Sequence, residues 1–163
     1  MDSIRAAWTI LRRPFAGPQQ PLTDPLSVND ANPPVTYFDS TLGEAMGLAR
    51  EAREYLTYQD AADRAGMTAR SRLAASCEAM RLTARLTQVV AWLLVQKAVH
   101  AGELTREQAS QPRYRLGGQE VCEDVQPLAE EPLPDRLREL MERSLQLYRR
   151  VARLDAMLDR DTA

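Results

Sequence analysis

The chain of 163 residues has almost no lysine or histidine, with Lys97 and His100 the only examples of each. Cysteine is nearly as scarce. Cys77 and Cys122 cannot build a disulfide framework, and with one imidazole they cannot form a zinc site of familiar spacing. No stretch approaches the roughly 18 to 20 apolar residues that a bilayer span requires; the longest uninterrupted run is Val89 to Val95. No basic flank, apolar block and small-residue cleavage site open the chain, so no secretory signal is expected. A formal charge of −2 argues against nucleic acid as the main partner, because such partners demand a basic surface. Together these absences predict a reduced, cytoplasmic, soluble chain without metal or cofactor.

What is present suits a globular fold. Apolar residues make up 44% of the chain and charged residues 27%, enough to bury one core without staples. Residues 1–36 carry six of the ten prolines and read as a disordered Pro-rich arm, since proline at that density propagates neither helix nor sheet. Within it Ile4, Trp8 and Leu11 share one helical face. They form either a short docking helix or a tail that is helical only transiently.

The bundle domain is expected over residues 37–160, with helices at about 37–58, 69–101 and 134–158. In the first, Phe38, Leu42, Ala45, Ala49, Ala52 and Leu56 form an apolar stripe whose alanines imply a close approach. Thr68 caps the second helix, which runs to Gly102 and spans roughly 50 Å. That helix is apolar on two sides. Leu82, Leu86, Val89 and Leu93 make one side, a core or dimer face. Leu73, Cys77, Met80, Ala84, Ala91, Val95 and Ala98 make the other, on which small residues predominate. A helix apolar on two sides must be covered twice, by its own chain or by a second subunit. The third helix repeats Leu137, Leu140, Ser144, Leu147, Val151, Leu154 and Leu158 at 3–4 spacing, and Pro134 suits its first turn. Between them, residues 102–133 set three arginines against seven carboxylates, an acidic loop in which Thr105 and Gln108 resemble a capping box. The fold class is therefore all-α, an elongated antiparallel three-helix bundle with the Pro-rich arm and a long acidic loop between helices 2 and 3.

No catalytic constellation emerges. Cys77 lies about six turns from His100 and reads as a buried structural thiol. Cys122 sits among carboxylates that raise a thiol pKa. His100, at a helix end near the leucine face, suits a cap or a buried contact. Glu44, Glu51 and Glu54 lack the Glu-x-x-His partner of a di-metal bundle, and Gly117-Gly118 lacks the Lys-Ser/Thr of a phosphate loop and reads as a turn. The row that invites a functional reading is Arg81, Arg85, Gln88, Trp92 and Gln96, one line between the apolar faces of the second helix. Arg and Trp are enriched at protein-binding hot spots, so the row is either a docking surface or a solvated boundary with Trp92 half buried. Phosphate binding by Arg70, Arg81 and Arg85, with nucleotide or nucleic acid as ligand, is the alternative.

The run Glu78-Ala79-Met80-Arg81-Leu82-Thr83-Ala84-Arg85-Leu86-Thr87-Gln88-Val89-Val90-Ala91-Trp92-Leu93-Leu94-Val95-Gln96-Lys97-Ala98-Val99, followed by Gly102-Glu103-Leu104-Thr105, resembles the signature of the RcdA family, the regulators of CtrA degradation of alphaproteobacteria. Tyr37-Phe38 through Leu56 resembles the family's first helix, and Leu133-Pro134 through Leu154 its third. The Pro-rich arm stands outside the shared pattern. The resemblance implies a dimeric three-helix adaptor rather than an enzyme. Such an adaptor tethers cell-cycle proteins for the ClpXP protease together with a single-domain response regulator and a cyclic-di-GMP-responsive partner.

Overall fold

A computed structural model describes residues 35–124 and 133–160. Residues 1–34 of the Pro-rich arm, including Ile4, Trp8 and Leu11, lie outside the described residues, as do 125–132 within the acidic loop, whereas Val35 and Thr36, expected in the arm, open the first helix. The chain is all-α. Helix α1 (Val35–Tyr58) is followed by the single turn α2 (Asp60–Asp63), the long α3 (Ala69–His100), the turns α4 (Arg106–Ala109) and α5 (Gln119–Cys122), and α6 (Asp135–Arg160). A 3-10 turn at Pro112–Tyr114 separates α4 from α5.

Local chemistry sets the boundaries. The Thr68 side chain accepts a hydrogen bond from the Ser71 N–H at 3.2 Å, capping α3 as expected. At the other end Gly102 takes φ 71°, and its N–H and that of Glu103 return to Val99 and Ala98 carbonyls. That is a Schellman motif, which only a residue tolerant of the left-handed region completes without strain. The capping box at Thr105 and Gln108 forms in full and starts α4.

The three long helices pack together, with α1 antiparallel to α3: Phe38 stacks near His100 and Asp39 pairs with Lys97. Helix α1 is antiparallel to α6 as well, because Glu51 meets Arg136 and Arg143 while Glu44 meets Arg150. It follows that α3 and α6 are parallel, and their own contacts agree: Arg85 reaches the Met141 carbonyl and Trp92 reaches Asp155 further along both helices. This corrects the expected all-antiparallel bundle. The connection after α3 is long enough to run back along the helix it has just left, so α6 starts again from α3's N-terminal end.

The core lies between the three helices. Phe38, Ala45 and Ala52 of α1 are buried as the stripe predicts, joined by Leu48 and Tyr55 one turn to its side. Leu82, Leu86, Val89 and Leu93 of α3 are buried against them, so that face is core. Leu137, Leu140, Ser144, Leu147 and Val151 of α6 close the interior, with Leu154 and Leu158 partly buried at its edge. Each fully buried leucine contributes about 1.5–3 kcal/mol before chain entropy is subtracted.

Candidate partner-binding site

Arg81, Arg85, Gln88, Trp92 and Gln96 do lie on one line of α3, as their spacing demands, but the line faces inward. Arg85 is 1% exposed and Trp92 2%; Arg81 and Gln96 are buried and Gln88 is half buried. The expected surface row is thus an interior row, and the expectation of a solvated or docking face is corrected in that respect. Its cover is residues 115–124, here termed the strap, which runs back along α3 from the Trp92 level to Arg81.

A guanidinium enters a protein interior only if its five donors find acceptors. The strap supplies two acceptors and α6 a third. Arg85 Nε donates to the Cys122 carbonyl at 2.6 Å and Nη2 to the Asp124 carbonyl at 3.2 Å, while Nη1 donates to the Met141 carbonyl of α6 at 3.1 Å. Burial first, and then the neighbouring Arg81, pull the Arg85 pKa below its ordinary value. Arg81 donates to the Glu78 carboxylate at 3.1 Å and to the Asp124 carboxylate at 3.2 Å. Burial raises the Glu78 pKa although Arg81 and Arg85 oppose that shift. With the row bonded in this way, phosphate binding through Arg81 and Arg85 has no surface to act from.

The other end of the strap is fixed by Asp155, a buried carboxylate on α6. It accepts from Trp92 Nε1 at 2.7 Å and from Arg115 Nε at 2.9 Å. Tyr148 donates its hydroxyl to the Gly117 carbonyl at 2.8 Å. Two glycines permit this approach. A Cβ on Gly117 would come within 3.2 Å of Gln88 Oε1, and Gly118 adopts φ 76° at the start of α5. Cys122 is buried beneath the strap, and burial rather than its acidic neighbours is the main cause of its raised pKa. Cys77, expected buried, is half exposed.

The second apolar side of α3 is divided. Ala91, Val95 and Ala98 are buried at the end where the chain folds back after Gly102 and α4 packs against α3. Toward the N-terminus Leu73 is 66% exposed and Met80 71%, with Cys77 between them and Ala84 one turn beyond both half exposed. One half of the face is therefore covered by the chain itself and the other half is open.

The remaining candidates have local partners. His100 Nδ1 lies 2.8 Å from the Gln96 carbonyl, and its ring meets Phe38 at a centroid distance of 5.1 Å. Glu44 and Glu51 are ion-paired with α6 arginines, and Glu54 is exposed. Among the described residues no group of three or more His, Cys, Asp or Glu side chains is placed to hold a metal, and no helix is long and apolar enough to cross a membrane. Sequence reasoning missed Glu78, Asp124, Tyr148 and Asp155 as members of the site. The available signal was the pair of arginines on a face adjoining two apolar ones, which implies carboxylates and carbonyls opposite.

Comparison with known proteins adds the following. The family described as "Protein of unknown function (DUF1465)" matches residues 32–163. The crystal structure of RcdA from Caulobacter crescentus CB15 matches with a TM-score of 0.63 and 36% identity, covering 80% of this chain and 95% of that one. Among curated proteins none matches.

Proposed function

The chain belongs to the DUF1465 family and is similar to Caulobacter RcdA, and from that premise we propose that it is a non-enzymatic adaptor that helps deliver cell-cycle regulatory proteins to the ClpXP protease. The observation that carries this reading is the extent of the likeness: 36% identity, covering 80% of this chain and 95% of the RcdA chain. The ClpXP machinery, a single-domain response regulator, a cyclic-di-GMP-responsive partner and the substrates themselves are the implied partners, met in the cytoplasm.

The adaptor is read as a homodimer. The open half of α3, Leu73 through Ala84, supports that reading, because a stripe of this kind on one helix can meet its own copy across a two-fold axis. Light scattering at micromolar concentration should give the dimer mass for the native chain and the monomer mass for Met80→Glu. A native chain that stays monomeric would remove the dimer from the account.

A tagged pull-down from the native cell at moderate salt, read by mass spectrometry, tests the function. Enrichment of ClpX or of a single-domain response regulator is expected. Recovery of nucleic acid in their place, with binding that weakens steeply as salt is added, would replace the adaptor with a polyanion binder.

A further inference from the structure

We draw no further inference here: the strongest candidate, the open apolar half of α3 formed by Leu73, Cys77, Met80 and Ala84, carries nothing beyond the second copy already proposed for it, because nothing among the described residues shows what else covers it.

Discussion

The two buried sides of α3 are held by different physics. Toward α1 the contact is apolar: Leu82, Leu86, Val89 and Leu93 share one buried cluster with Phe38, Ala45, Leu48, Ala52 and Tyr55, and the Asp39–Lys97 ion pair lies at its exposed rim. Toward the strap the contact is polar: three arginines, three carboxylates, a tryptophan N–H and a tyrosine hydroxyl, most of them out of solvent. The hydrophobic effect is non-directional, and its strength grows with the apolar area buried. A buried polar network depends on every partner being in place, and it fails locally when one is withdrawn. The α1 side therefore sets the stability of the fold, and the strap side is where the fold can change state.

The largest expected effect lies on the apolar side. Leu93→Ala should lower global stability by about 3 kcal/mol through the lost transfer energy and the cavity left behind, read as a shifted urea midpoint. Arg85→Ala should follow at about 2–3 kcal/mol, because it strands the Cys122 carbonyl and removes one of the two side-chain donors to the carbonyls of Asp124 and Met141. Its first sign should be faster labelling of Cys122. A loss confined to global unfolding, with Cys122 still protected, would erase the distinction between the two sides. Tyr148→Phe keeps the buried ring and removes one donor to Gly117, for about 1 kcal/mol that should appear in strap protection and barely in melting temperature.

The smallest effect belongs to the rim. Arg143 first, and then Arg136, hold the Glu51 carboxyl below its ordinary pKa. A lowered folded pKa means that the contribution is present above the ordinary carboxylate range and lost as pH falls through the folded value. The group is substantially solvated, so the loss should be at most about 0.5 kcal/mol, and Arg143→Ala should remove most of it from the acid limb of the stability curve, leaving the Arg136 pair.

Much of the fold was legible in the sequence. The three long helices were placed within two residues of Val35–Tyr58, Ala69–His100 and Asp135–Arg160, because period and caps act locally. Thr68, Gly102 and the Thr105–Gln108 box each acted as their residue types dictate. The direction of α6 against α3 was not legible, since a connection of that length permits either. Nor was the orientation of the arginine row. Spacing states which residues share a face; it does not state what covers that face, and the covering strap has no periodicity of its own to reveal it. Leu48 and Tyr55 were missed for a simpler reason: the α1 stripe is wider than its clearest line. Cys77 was expected in the core because the second apolar side of α3 was treated as uniformly covered, when only its C-terminal half is.

The most direct test of this account is native-state hydrogen exchange across α3, α6 and the strap over a range of urea concentrations below unfolding. The account predicts that the hydrogen-bonded strap amides of Val121, Cys122 and Glu123 exchange through a small opening with little urea dependence, at least a hundredfold faster than those of Leu82 to Leu93, which exchange only with global unfolding. If strap and helix amides converge on one free energy and one urea slope from the outset, the two sides are a single cooperative unit and the account is wrong.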